Sequence, residues 1–354
     1  MSKHHLLLIV PVFLASSATL YADQVDIDKA REALTKQADD ADSEKALEEV
    51  FEAAEKSYSL LKKGGMSLNY NVDYTYYGDQ RIELDIKPVL DENNQPTSSS
   101  TINNADVTPV ASHTITNAFT FDYGLANNLT TSIRVPFVAK FETEDDLSAF
   151  SVGDLSTTLR WQPFEYQPGK MSQTYFGTLR LPTGVSPYEI DENESLSTGS
   201  GTFGLSGGVS ASKVLDPVVL FGSGSLAYTL PLTDVNQVRG GTLLQEVEPG
   251  IGISLSMGFA YSLSYDVSLS ASFQASFSDE TELTFFDGRT GTNQTSTTGS
   301  QMSAITNFAL GIRVSPKTIA NVNVGFGMTE LSPDVILGLS LPIDIEGWKP
   351  SPGN

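Results

Sequence analysis

Residues 55–78 read EKSYSLLKKGGMSLNYNVDYTYYG, and the hydrophobic period changes in the middle of them. Up to Lys63 the apolar residues recur at helical spacing. From Met66 they recur at every second residue, with Met66, Leu68, Tyr70, Val72, Tyr74 and Tyr76 set against Ser67, Asn69, Asn71, Asp73 and Thr75. A helix and a half-wet strand are thus expected to meet at a hinge made of Gly64 and Gly65. Two glycines reach only about 7 Å, so whatever precedes the strand must stay near its start.

Downstream the same alternation returns again and again. It is carried by Phe119, Phe121 and Tyr123, by Leu255, Met257 and Phe259, by Leu269, Phe273 and Phe277, and by Leu337, Leu339 and Leu341. The opposite faces are small and polar, as in Ser254, Ser256 and Gly258 or Ser268, Ser270 and Ser272. The count comes to about twelve strands, many near the roughly 9–11 residues that a tilted bilayer crossing needs and longer than the five or six usual in soluble sheets. Connections alternate between short (GLANN, KVLDP, SLSY) and long and polar (VLDENNQPTSSSTINNADVTPVAS, SPYEIDENESLSTGSG, TDVNQVRGGTLLQE, DETELTFFDGRTGTNQTSTTGS). That rhythm is the one of periplasmic turns and external loops. The expected fold class is therefore an all-β transmembrane barrel of about 12 antiparallel strands with an N-terminal α-helical segment. The barrel is placed at 66–345 and a C-terminal tail at 346–354. An even strand count leaves both chain ends, and the helices, on the periplasmic side.

Upstream, residues 1–22 have the pattern of a secretory signal peptide: Lys3, an apolar run from Leu6 to Leu14, and small residues before Ala22. Residues 23–42 read as a short periplasmic helix, a candidate coiled-coil segment, and 43–65 as a second helix and its glycine stop, a candidate lumenal plug. No stretch is long and apolar enough for a helical membrane span. The net charge of −22 argues against nucleic acid as a partner, and the absence of cysteine removes disulfide, thiol and thiolate-metal chemistry.

Few residues could carry a reaction. His113 is the one histidine beyond the signal peptide, and alternation places it on the outward face with Ile115 and Phe119, so an interfacial role is favoured over a catalytic base. The acidic runs ETEDD (142–146) and EIDENES (189–195) lack EF-hand spacing, and GSGTFGLSGG (199–208) has no helix after it to hold a phosphate. No enzymatic activity, cofactor or metal site is expected. The inward faces hold the more informative charges: Asp73, Asp122, Arg134, Asp154, Arg160, Arg180 and Arg313. Two readings stay open for them. They form lumenal ion pairs, or they form a selectivity ring that also holds the second helix through Glu48, Glu49, Glu52 and Glu55.

The segments VGDLSTTLRW (152–161), LRLPTG (179–184), GSGTFGLSGGVSASKVLDPVVLFGSGSLAYT (199–229) and SPDVILGLSLP (332–342) resemble, in that order, the outer-membrane transporters of meta-pathway phenol degradation. Within that group, EAAEKSYSLLKKGG (52–65) ahead of the first strand is similar to the functional-amyloid (Fap) secretion channels. The resemblance implies a twelve-strand barrel, a homotrimer held by the N-terminal coiled coil, and a helix that plugs the lumen. It also implies export of unfolded amyloid subunits through the outer membrane. The alternative is a porin-like uptake channel for aromatic or hydrophobic small molecules, which would show an apolar lumenal path or a lateral gap.

Overall fold

The computed structural model describes residues 60–345 apart from 91–95, 144–145, 166, 168, 192–193, 240–241, 265, 289–290, 316–317 and 344. The expected signal peptide, both expected helices as far as residue 59, with Glu48, Glu49, Glu52 and Glu55, and the tail 346–354 lie outside the described residues. No helix among the described residues is long and apolar enough to cross a membrane.

The described strands in chain order are β1 (Met66–Leu90), β2 (Pro96–Ala126), β3 (Leu129–Glu142), β4 (Leu147–Val152), β5 (Leu155–Trp161), β6 (Ser172–Leu181), β7 (Gly204–Leu215), β8 (Val218–Thr229), β9 (Gln237–Arg239) and β10 (Thr242–Glu248). They continue with β11 (Gly252–Ser262), β12 (Val267–Ser278), β13 (Glu282–Asp287), β14 (Thr292–Thr297), β15 (Gln301–Ser315), β16 (Thr318–Gly327) and β17 (Val335–Ile343). Each of the twelve strands read from alternation is present. They close into an antiparallel barrel, because β1 pairs with β2 on one side and with β17 on the other, from Leu68 opposite Ile343 to Tyr76 opposite Val335. Closure through β1 and β17 leaves neither of these two strands a free edge, as hydrocarbon requires of any strand whose backbone it surrounds.

The outer face is apolar and exposed. Leu226 is 59 % exposed, Leu255 57 % and Met257 60 %, far too much large apolar surface for a protein meeting water on that side. Aromatic residues gather near its ends, with Trp161 6.0 Å from Tyr175 at one and the Tyr74, Tyr76 and His113 rings at the other. His113 accepts or donates through Nδ1 to the Tyr74 hydroxyl at 2.8 Å, an outward-facing aromatic cluster at the end of the crossing.

The long connections differ from their reading as plain loops. The one after β1 is a hairpin that pairs residue by residue out to Leu90 opposite Pro96. Those after β8 and β12 each carry a hairpin, β9–β10 and β13–β14, which join through β10 and β13 into a separate four-stranded sheet. Val235, Leu244 and Val247 form its small core, with Leu232, Leu283 and Phe285 packed against it. The acidic run 142–146 leads directly into β4, which starts at Leu147.

β4 and β5 are one barrel strand with a fault in it. Against β3, Val152 faces Phe137 and Ser156 faces Arg134, so three residues oppose two, which is a β-bulge. The cause lies on β3, where Pro136 has no N–H to give the ladder. The ladder restarts when Gly153 N–H donates to the Pro136 carbonyl at 2.8 Å. A side chain at 153 would meet Val138 and Pro136 at about 3 Å, so glycine is needed for this close approach. Beyond the bulge β4 pairs only with β3 among the described residues, and the Thr183 and Thr198 hydroxyls reach the Gly153 and Val152 carbonyls where a further strand would pair.

Candidate lumenal site

The inward charges fall into two groups. The first is Asp122 with Arg160, near the end of the barrel that carries the short turns. Arg160 Nη2 sits 2.5 Å from Asp122 Oδ1, and both residues are buried, at 4 % and 7 % exposure. Asp122 also accepts from the Ser67 hydroxyl (2.9 Å), the Asn69 amide (3.2 Å) and the Ser132 hydroxyl, while Arg160 reaches the same Ser132 oxygen at 2.5 Å. Four donors around one carboxylate meet its lone-pair capacity, the condition for holding a charge away from water.

The second group lies further along. Asp154, turned inward at the bulge, accepts from Ser200 N–H (2.8 Å), the Ser200 hydroxyl (2.6 Å) and Gly184 N–H (3.2 Å). It thereby pins both ends of the segment 182–203 against the lumenal side of the wall. Thr183 and Thr198 add bonds to the Gly153 and Val152 carbonyls at 2.8 and 3.0 Å. The stretch SPYEIDENESLSTGSG, read as a purely external loop, is therefore tied at its end into the barrel. Arg180 stands 3.9 Å from Asp154. Around this group is a chamber of about 510 Å³ lined by Asp73, Arg134, Pro136, Val138, Lys140, Asp154, Arg180 and Ser200, among others. Lys140 was not among the residues singled out from the sequence, although its alternation with Phe141 on β3 would have marked it as inward. Arg313 joins neither group; its Nε is 3.9 Å from Asp266 at the short turn after β11.

The facing wall is different in kind. Phe221, buried at 8 %, packs inward with Val219 and Ala260. Its ring lies close over Gly258, and the Phe176 ring likewise over Gly208, which the missing side chains of those glycines make possible. The lumen thus has a charged wall on β1 to β6, with Phe176 of β6 at its border, and beyond it a wall rich in serine, glycine and alanine that carries Phe221. The Ser/Gly pattern was legible in the sequence; the inward phenylalanines were not picked out.

The chain ahead of β1 enters the barrel mouth. Gly64 has φ +75° and reverses the chain in a turn closed by Gly65 N–H donating to the Lys62 carbonyl at 2.8 Å. Gly64 N–H donates to Gly124 O (2.7 Å), and Gly124 N–H to Gly65 O (2.9 Å). Leu61 N–H donates to Thr130 Oγ1 at 2.8 Å and Lys63 N–H to Asn127 Oδ1 at 3.2 Å. Gly124 and Thr130 are inward and buried, so Leu61 and Lys62 lie on the lumenal face. Here the expected helix is corrected. Leu60, Leu61 and Lys62 are not helical, because the amides that would continue it are taken by barrel side chains.

A closed strand barrel with an apolar belt outside and a charged, partly filled lumen within defines the class: a transmembrane β-barrel of the bacterial outer-membrane kind. Its fold is similar to that of an outer-membrane channel from Pseudomonas putida F1, which aligns over 80 % of this chain and 97 % of its own with a TM-score of 0.55 at 14 % identity. The translocator domain of the autotransporter NalP from Neisseria meningitidis aligns over 93 % of this chain and 100 % of its own (TM-score 0.45, 8 % identity). The Pseudomonas putida toluene transporter TodX aligns over 78 % and 87 % (TM-score 0.35, 10 % identity). No protein-family model matches the chain.

Proposed function

We propose that the barrel is a diffusion channel for small aromatic or hydrophobic solutes, oriented with both chain ends in the periplasm. The observation that carries this reading is the lumen itself. Gly184 and Ser200 bonded to Asp154 intrude on it at one level and Leu61 and Lys62 at the other mouth, and beside Asp154 lies an open pocket of about 510 Å³. That is the size of a small-molecule site, in the range of about 300–1,000 Å³. The fold shared with an outer-membrane channel supports it, as do the inward rings of Phe176 and Phe221. Porin-depleted cells producing the protein should take up labelled phenol faster than cells without it, since lipopolysaccharide otherwise slows apolar solutes; equal rates would count against the reading.

Export of unfolded amyloid subunits is the second reading, favoured by one observation: the chain ahead of β1 turns into the lumen, where a removable plug would have to start. A homotrimer held by residues 23–42 would belong to that reading. Loss of surface amyloid on deletion of the protein, with aromatic uptake unchanged, would select it.

A further inference from the structure

The chamber holds more cation than its carboxylates answer. Arg134, Lys140 and Arg180 line it together with Asp73 and Asp154, three positive side chains to two negative ones, in a protein whose net charge is −22. Asp154 is already committed to Ser200 and Gly184. Arg180 at 3.9 Å is beyond hydrogen-bond distance of it, and the Arg180 Nε is buried with no acceptor among the described residues. Glu142 acts on Lys140 from the strand end beyond the chamber lining.

Register arranges the cations. Arg134 faces Ser156 across β3 and β5, and Ser156 faces Arg180 across β5 and β6. The two arginines therefore stand in one row, two strands or about 10 Å apart at the backbone, close enough for their long side chains to meet on a single anion. Along the inward face of β3 the sequence then runs Arg134, Pro136, Val138, Lys140. The run from Arg134 to Lys140 is about 20 Å long, with the apolar pair in its middle, the arginine pair at its inner end and Lys140 at its outer end.

We propose that this chamber is a binding site for small monocarboxylates with an apolar body, aromatic carboxylates of the size of benzoate. The carboxylate bridges Arg134 and Arg180, and the ring lies on Pro136 and Val138. A single negative charge balances the lining, which a dianionic phosphate would overshoot while leaving the apolar step unused. Lys140, at the outer end, draws the anion in. This assignment rests on the small-solute reading and narrows it to one class of solute.

The test is titration calorimetry on the chain from Asp23 onward in detergent micelles, with benzoate, benzyl alcohol and inorganic phosphate as probes. Benzoate should bind with a millimolar constant, at least about tenfold tighter than either other probe. Arg134→Gln with Arg180→Gln should remove at least about tenfold of that affinity, with each single change giving part of the loss. Heat-modifiable gel migration establishes that each variant is a folded barrel; if the double variant does not fold, the single Arg134→Gln protein decides. Benzoate binding no tighter than benzyl alcohol, or undiminished in the folded variants, overturns the proposal. Tighter phosphate than benzoate binding also overturns it. Conductance in planar bilayers on the same preparations separates the two claims. Conduction without benzoate binding removes the site and leaves the channel, whereas benzoate binding without conduction keeps the site and removes the channel.

Discussion

Arg160→Met is the substitution whose cost the structure defines best. The guanidinium it removes sits 2.5 Å from Asp122, and both residues are more than nine-tenths buried. Methionine fills a similar volume along the wall but leaves the carboxylate with Ser67, Asn69 and Ser132 as its donors. Removing one partner of a buried pair costs about 3–5 kcal/mol. Three neutral donors remain, each contributing about 1 kcal/mol net, which places the expected loss at the lower end, about 3 kcal/mol. That is more than a hundredfold in the folding equilibrium, since about 1.4 kcal/mol is a factor of ten. Changing Asp122→Leu in the same chain removes the stranded charge, so the double variant should lose less than Arg160→Met alone. The assay is urea unfolding in short-chain phospholipid vesicles, followed by fluorescence of Trp161, which lies next to Arg160 and faces the lipid. An Arg160→Met loss under about 1 kcal/mol, or a double variant that costs the sum of the singles, would refute the account of a closed ion-pair network.

Other outcomes follow from the same contacts. A methyl group at Gly124 would fall within 2.8 Å of the Leu61 and Lys62 carbonyl oxygens, so Gly124→Ala should release the strap from the wall. Trypsin should then cut after Lys62 or Lys63 faster than in the parent, and an unchanged rate would count against the latch. Asp154→Ala removes three bonds to Ser200 and Gly184, worth about 1.5–3 kcal/mol each for a charged acceptor, and should free the segment 182–203. Faster amide hydrogen exchange at Gly184 and Ser200, with the barrel strands still protected, is the expected signature; exchange as slow as in the parent would say that other contacts hold the segment. Leu255→Arg puts a charge on the lipid face where the side chain is 57 % exposed, and should cost about 2–4 kcal/mol in vesicle unfolding. A neutral result would mean that β11 does not face hydrocarbon.

The twelve crossings were legible because a membrane imposes the pattern that alternation detects. A residue such as Met257 must suit lipid while Ser256 and Gly258 suit the lumen, and a slip of one would exchange them. The four-stranded sheet of β9, β10, β13 and β14 has no lipid face to enforce that contrast. Leu244 and Val247 are its buried residues, and in the sequence they are scattered among polar neighbours. The bulge left a trace, Pro136 on one strand and Gly153 on the next, but the pairing that brings them together is a property of register. Inward charges could be read one by one from parity, and the structure places them all on the lumenal wall or its turns. Which of them meet depends on rows across several strands: Asp122 reaches Arg160 two strands away, while Asp154 turns to a loop. The turn at Gly64 was anticipated as a hinge. What the chain does before it was read as helix because Leu61 fits a helical seam, whereas the backbone N–H groups of Leu61 and Lys63 donate to Thr130 and Asn127 of the barrel.

The central claim is that this barrel conducts and that its own N-terminal stretch narrows the path. Single-channel conductance in planar bilayers, compared between the chain from Asp23 onward and a form lacking residues 23–63, tests it most directly. A larger, steadier conductance after the deletion is the result the account predicts, because Leu61 and Lys62 then leave the lumenal face of Gly124 and Thr130. Equal conductance in the two forms would contradict it and make the turn at Gly64 a tether at the barrel mouth, with no part in closing the pore.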